Sequence, residues 1–525
     1  MSAINVDSMK SSQGITLTAN ISDTFVSLGY TVAGISDVNN DGFADFGITS
    51  YIQSTNTPVA YVVYGSSSVG GAVDLTTLSA GQGMSLYTDS ISGGYLSIAG
   101  AGDVNGDGIN DILLGDPYGN SQSGTAFVVY GGADLPSSMN VSAMTAKEGV
   151  QFSGAPAVSF FGDAPAGAGD FNGDGFDDVI IGAYAANENN GAAYLVYGSK
   201  SLPANINVAN LTEASGCSFV GSGSAQLGYA VGGGSDFNGD GLSDVIIGAP
   251  GSGFAYIYYG STTAPAAVDV SSITAKTGLA LFGPDTGFGV SVSLTGDVNG
   301  DSLGDAIVGA NPTPPLSEDC QAYLVYGGSA ITSPLGVADM DSQGVVLTAN
   351  SDSDLLGKSV SSADINGDGY ADLILGAPGA SSSAGVTYAV YGGPALPSPV
   401  QLDAMTSEEG VYLTSAEVGA DMGWSVGGIH DVNGDGFDDI IAGSPYSYDG
   451  AGSAYVVFGF PQTTNNASGG GNGDLSGGAI AGIIFGVIAA VAIAAFAYIQ
   501  IRRGADGFSK TTELAKQDSL SNALL

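Results

Sequence analysis

The sequence predicts an all-β fold, a seven-bladed β-propeller, followed by a single C-terminal transmembrane helix. Three observations carry this reading. An acidic loop of the form D-x-N-x-D-G-x-x-D recurs seven times in 525 residues, beginning at Asp37, Asp103, Asp170, Asp236, Asp297, Asp364 and Asp431. Its copies start 61 to 67 residues apart, and the same four short apolar runs accompany each one. Near the C-terminus, Ala479 to Ile499 is an uncharged, mostly apolar stretch of 21 residues. A fixed period overrides the domain count that length alone suggests.

Within a repeat, the first run follows a Gly, as in Ile15–Thr18 and Val411–Thr414. A run of small residues comes next, such as Gly289–Leu294. The acidic loop follows, then a run of buried character such as Asp178–Ala183. After a variable polar loop comes an aromatic and β-branched run that ends in Gly, such as Tyr61–Tyr64 or Tyr194–Tyr197. Short runs rich in Val, Ile and Tyr between Gly and Asp are strands. No stretch before residue 475 sustains a helical period. Four strands in each of seven repeats make a propeller, where radial repetition protects the sheet edges. The first run is expected to be the outer strand of the preceding blade. Ile15–Thr18 should then complete the blade built from residues 420–459 and close the ring.

The expected boundaries are a propeller over residues 1–460, a Gly/Asn/Ser-rich flexible linker over 461–476, a transmembrane helix over 477–501 and a tail over 502–525. At 1.5 Å per residue, about 20 helical residues cross the ~30 Å bilayer core. Arg502 and Arg503 follow at once, so the positive-inside rule puts the tail in the cytoplasm and the propeller outside. The opening MSAINVDSMK has no apolar signal-peptide core, which implies either a truncated start or another insertion route. Gly478, Gly482 and Gly486 form overlapping G-x-x-x-G steps suited to helix–helix association. Asn20, Asn140, Asn210 and Asn466 open N-x-S/T sequons, the glycoprotein signature of a secreted chain.

Net charge is −42, from 51 acidic and 9 basic residues. Nucleic acid is excluded as a partner, because no basic stripe exists to meet phosphates. Cys217 and Cys320 imply no disulfide framework, and one histidine, His430, leaves nothing for a histidine metal centre or a Ser-His-Asp triad. Trp424 reads as a packing residue, and Asp177 and Asp438 as solvated neighbours of ligands.

Positions 1, 5 and 9 of the loops account for 21 of the 51 acids. Calcium takes six to eight oxygen ligands, and an EF-hand loop supplies them from positions 1, 3, 5, 7 and 12. These loops share that start but close with Asp at position 9 and lead into a strand. The expected ligands are Asp37, Asn39, Asp41, Phe43 and Asp45 in loop 1, and Asp103, Asn105, Asp107, Ile109 and Asp111 in loop 2. Loop 3 offers Asp170, Asn172, Asp174, Phe176 and Asp178, and loop 4 Asp236, Asn238, Asp240, Leu242 and Asp244. Loops 5, 6 and 7 offer Asp297, Asn299, Asp301, Leu303 and Asp305; Asp364, Asn366, Asp368, Tyr370 and Asp372; and Asp431, Asn433, Asp435, Phe437 and Asp439. The apolar residue at position 7 contributes only its carbonyl. Up to seven structural Ca2+ ions are expected, with the site at Ser302, where the other loops have Gly, the weakest.

A Gly-rich strand, this loop, an Ile-Ile-Gly-Ala-Pro segment and a Tyr-Val-Val-Tyr-Gly strand resemble the FG-GAP repeat of the integrin alpha-subunit β-propeller. The clearest copy runs from Leu227-Gly228-Tyr229 through Asp236–Asp244 to Gly248-Ala249-Pro250. The resemblance implies calcium loops between the first two strands of each blade, with ligand binding on the opposite face. It departs from integrins in having seven calcium-type loops, no leg domains and no inserted adhesion domain. Gly507-Phe508-Ser509-Lys510 only faintly matches the integrin tail motif, which puts pairing with a beta subunit in doubt. The function expected is a membrane-anchored extracellular propeller for cell adhesion or recognition of a protein or glycan ligand. The alternatives are a polysaccharide-active hydrolase or lyase and a structural surface-coat protein. No enzymatic activity is expected, and the loops around Tyr118, Tyr184 and Tyr446 are the expected ligand site.

Overall fold

The structure is a computed structural model that describes residues 2–20, 26–53, 56–90, 93–284, 286–311, 320–349 and 351–461. Seven sheets of five strands follow one another along the chain. Blade 3 shows the plan. Its inner strand is Pro165–Gly169, followed outward by Asp178–Ala183, Ala192–Val196 and Gly216–Val220, all antiparallel. The fifth strand, Ala267–Asp269, lies parallel on the outer edge and comes from the next repeat.

The middle strands are buried along their whole length, as in Asp178–Ala183 and Ala192–Val196, because a neighbouring blade covers each face. The core therefore sits between blades. Between the last and first blades, Ile15, Leu17, Ile441 and Val456 pack with Phe46 and Ile48. Each of these side chains is fully buried, contributing about 1.5–3 kcal/mol of transfer free energy. Small residues line the axis because seven inner strands converge there. A Cβ on Gly233 would come within 2.8 Å of Ala168 Cα. The axial channel they enclose is about 510 Å³.

The expected closure is present. Gly14–Thr18 pairs antiparallel with Ser453–Val457 and becomes the fourth strand of blade 7. The N-terminus does more than this. Ser2–Asn5 also lies parallel on Gly410–Thr414, the outer strand of blade 6. Asp7 then accepts the Ala416 N–H and the Ser415 hydroxyl. The fifth strands were not expected from the sequence. They are two to four residues long, and most precede a 3-10 turn capped by an Asn or Asp side chain, as at Asn5, Asp74, Asn140, Asn207 and Asp269. Each repeat thus laces itself to the edge of the blade before it, which leaves only a strand of two to four residues as the outer edge.

Among the described residues, no helix is long and apolar enough to cross a membrane. The expected linker from residue 462 onward, the Ala479–Ile499 span, the Gly478, Gly482 and Gly486 steps, Asn466 and the tail lie outside the described residues. Cys217 and Cys320 are buried and not joined in a disulfide.

Candidate functional site: an acidic ring and an aromatic arc

Each acidic loop joins the first and second strands of its blade, so all seven lie on one face. In loop 7 the Asp431 carboxylate accepts the N–H groups of Gly434, Asp435 and Gly436 at 2.6–3.1 Å. Asn433 Oδ1 accepts the same Asp435 N–H, and Asp435 Oδ1 accepts that of Phe437. The oxygens of positions 1, 3 and 5 are thereby drawn together. Loop 5 keeps this path, with Ser302 at φ 72° and its N–H on Asp297. A side chain held in that left-handed region costs about 1–2 kcal/mol.

Position 9 is fully buried in all seven copies. In loop 3, Asp178 accepts the Phe171 N–H at 3.1 Å and the Gly198 N–H, beyond the third strand, at 2.8 Å. The same pair of bonds is made by Asp45 to Val38 and Gly65, Asp111 to Val104 and Gly131, and Asp244 to Phe237 and Gly260. Asp305, Asp372 and Asp439 repeat it with Val298 and Gly327, Ile365 and Gly392, and Val432 and Gly459. Burial pushes these carboxyls up to about 7 for Asp45, Asp111, Asp244 and Asp305, and to about 8 for Asp178, Asp372 and Asp439. The two N–H donors offset only part of that.

The loops also join the blades. The N–H of the residue after each third-strand Gly reaches the position-2 carbonyl of the preceding loop, from Ser66 to Val432 round to Phe460 to Ile365. In six of the seven steps the side chain at position 7 packs on the position-4 Gly of the loop before it; in loop 1 position 4 is Asn40. A Cβ on Gly106 would fall 2.3 Å from Phe176 Cε1, and one on Gly434 would fall 2.6 Å from Phe43 Cε1. Asp177 and Asp438 accept the backbone N–H groups of Asp103 and Asp364 in the loops before their own, so they are interblade contacts rather than solvated neighbours. His430 Nδ1 lies 3.7 Å from Asp438 Oδ1, which raises the imidazole's pKa.

The donors at positions 1, 3, 5, 7 and 9 are all oxygens, the type that a hard cation such as calcium takes. Among the described residues, no group of three or more His, Cys, Asp or Glu is gathered as a ligand set.

The opposite face carries different chemistry. Eight aromatic rings form a continuous arc: Tyr446, Trp424, Tyr30, Tyr95, Tyr118, Phe160, Tyr184 and Tyr229. Successive centroids are 4.1 to 5.9 Å apart. Tyr30, Tyr229 and Trp424 stand just before inner strands, while Tyr118, Tyr184 and Tyr446 stand just after second strands, so antiparallel pairing brings both sets to one face. Lys358 Nζ lies 4.8 Å from the Trp424 ring centroid. Asp163 accepts the Tyr95 hydroxyl at 2.8 Å. Burial raises Asp163 to about 6, against the opposing pull of Tyr95 and Lys358. Burial lowers the Lys358 pKa, and Asp163 partly restores it.

A family model described as FG-GAP repeat matches residues 161–196, 227–267, 356–392 and 422–457. These are FG-GAP repeats. The matched FG-GAP repeats fall on blades 3, 4, 6 and 7, each spanning an inner strand, an acidic loop and the next two strands. The chain is 30% identical over 254 residues to "Integrin alpha pat-2" of Caenorhabditis briggsae, covering 44% of this chain and 18% of that protein. It is 29% identical over 237 residues to "Phosphatidylinositol-glycan-specific phospholipase D" of Bos taurus, covering 42% of this chain and 26% of that protein. The matches thus span about a quarter or less of these relatives. A crystal structure of the V. cholerae biofilm matrix protein Bap1 aligns at 12% identity and TM-score 0.24, covering 85% of this chain and 91% of that one, a likeness too slight to carry an argument.

Of the residues singled out in the sequence, those at loop positions 1, 3, 5, 7 and 9 lie in the seven loops between first and second strands, and Tyr118, Tyr184 and Tyr446 come together in one arc. Trp424 is half-buried and packs between Tyr30 and Tyr446. Sequence reading missed Tyr30, Tyr95, Phe160, Tyr229, Asp163 and Lys358. One available signal was the residue after the FG-GAP glycine, which is aromatic at Tyr30, Tyr229 and Trp424 but charged at Asp163 and Lys358.

Proposed function

We propose that this chain is a calcium-stabilised extracellular propeller, anchored by Ala479–Ile499, that serves adhesion or ligand recognition through the aromatic arc. The arc carries the reading. Five blades contribute eight aromatic side chains, and Tyr446 is 39% exposed, on the face away from the acidic loops. Clustered Tyr and Trp at a surface are what binding sites favour, and scattered packing residues would not form an unbroken track. The likeness to integrin alpha subunits supports adhesion. The likeness to a phospholipase D extends to a quarter of that enzyme, and we read this chain as a binding module rather than an enzyme. His430 supports that choice, because it lies on the acidic face against Asp438 rather than in the arc.

The test displays the full chain on cells and measures their adhesion to cells of its own source. Tyr184→Ala and Trp424→Ala variants, displayed at equal density, should lose adhesion. Adhesion unchanged in both would remove the arc from the function.

A further inference from the structure

We infer that the arc takes a neutral glycan, and that Lys358 is the site's built-in cation. The inference rests on the recognition reading above and names the ligand class. Aromatic faces attract either cations or the apolar C–H faces of sugar rings. Here the cation position is filled from within, since Lys358 Nζ sits 4.8 Å from the Trp424 centroid. An incoming cation would meet a like charge at that ring. Asp163 stands on the other side of the balance, bonded to the Tyr95 hydroxyl at 2.8 Å and attracted by Lys358. An acidic ligand would meet that carboxylate and a chain of net charge −42.

What remains is a charge-balanced track of ring faces with polar tips. The phenol groups of Tyr30, Tyr118, Tyr184 and Tyr446 donate and accept hydrogen bonds, Lys358 donates and Asp163 accepts. That combination matches a sugar, which presents apolar C–H faces and a rim of hydroxyls. Most of the rings are half-buried and leave a narrow strip open, whereas a standard protein interface covers about 800 Å² on each partner. The successive ring spacings, none above 5.9 Å, give a continuous path for an extended oligosaccharide rather than a pocket for one unit.

Trp424 is the single tryptophan of the chain, so its emission reports on the arc directly. The full chain in a non-glycosidic detergent is titrated with neutral hexasaccharides of cellulose, laminarin, xylan and mannan. Tetramethylammonium chloride and a heparin hexasaccharide are the cationic and anionic arms. At least one neutral hexasaccharide should shift Trp424 emission saturably. Tyr184→Ala, which leaves the surroundings of Trp424 intact, should weaken that response at least tenfold. Tyr229→Ala, at the end of the arc away from Trp424, serves if Tyr184→Ala does not fold. Lys358→Met should give tetramethylammonium a saturable signal that the parent chain lacks. The inference fails if no neutral hexasaccharide shifts the emission, or if either charged probe saturates the parent chain instead. Arc-dependent adhesion that no neutral hexasaccharide inhibits would leave the recognition reading standing and sink this one.

Discussion

At the scale of the residue, the position-9 aspartates hold the repeat together. Asp178 ties the start of its loop to Gly198 through two backbone N–H groups that no water reaches. Asp178→Ala strands both donors, each at about 1–3 kcal/mol, so urea denaturation should show a loss of about 2–6 kcal/mol. Asp178→Asn keeps one acceptor and should lose less. Asp163 governs a different effect. Its folded pKa, about 6, lies above its ordinary 3.8, so the folded state holds the proton more tightly. Its contribution therefore favours folding at low pH and is lost as pH rises towards about 6. Asp163→Asn should match the parent chain below pH 3.8 and gain on it up to about pH 6, read as the difference between two melting curves. A constant difference across that window would contradict the assignment. The ligand pattern of the loops was legible because seven copies spell it out. The bond from Asp178 to Gly198 was not, because both residues read as ordinary parts of their own elements, a loop end and a turn. The arc stayed hidden for the opposite reason: its members occupy at least three non-equivalent positions, and charged residues interrupt the aromatic pattern at Asp163 and Lys358.

At the scale of the element, the N-terminal segment closes the ring twice. Gly14–Thr18 supplies the fourth strand of blade 7, with Ile15 and Leu17 fully buried. Leu17→Ala should cost about 2–5 kcal/mol as a core truncation. Deleting residues 2–8 removes only the strap on blade 6 and the bonds from Asp7 to Ser415 and Ala416. Deleting residues 2–18 also opens the sheet of blade 7. The melting temperature should fall modestly for the first deletion and sharply for the second; equal falls would show that the strap, not the strand, closes the ring. The strand was legible because Ile15–Thr18 repeats a run found in every other copy. The strap was not, because strands of two to four residues carry no periodicity. The recurring Asn or Asp before an apolar residue, as at Asn5-Val6 and Asp74-Leu75, was its only trace.

At the scale of the whole molecule, the two faces carry opposed chemistry. The 21 carboxylates at positions 1, 5 and 9 of the loops crowd one face of a chain whose net charge is −42. The loops are not independent of the neighbouring blades, because the position-2 carbonyl of each accepts a backbone N–H from the end of the next blade's third strand, and Ser66 to Val432 completes the circuit. Repulsion within one loop is therefore passed to the blades on either side. A cation bound to folded loops alone stabilises each by RT ln(1 + [L]/Kd), about 2.7 kcal/mol at a hundred times Kd. If all seven loops bind calcium as proposed, seven such terms in one ring would make it the dominant control on stability. Chelation should lower the melting temperature strongly, and native mass spectrometry should count up to seven ions. Raising monovalent salt in the chelated protein should recover part of the loss, because screening at 1 M reaches within about 3 Å. It should not recover all of it, because salt cannot enter where Asp178 and its six counterparts are buried. Breaking one loop, by Asp297→Ala, should cost more than one ion's share, since the loops of blades 4 and 6 lose their neighbour too. Melting indifferent to both chelator and salt would mean that the backbone bonds alone carry the ring.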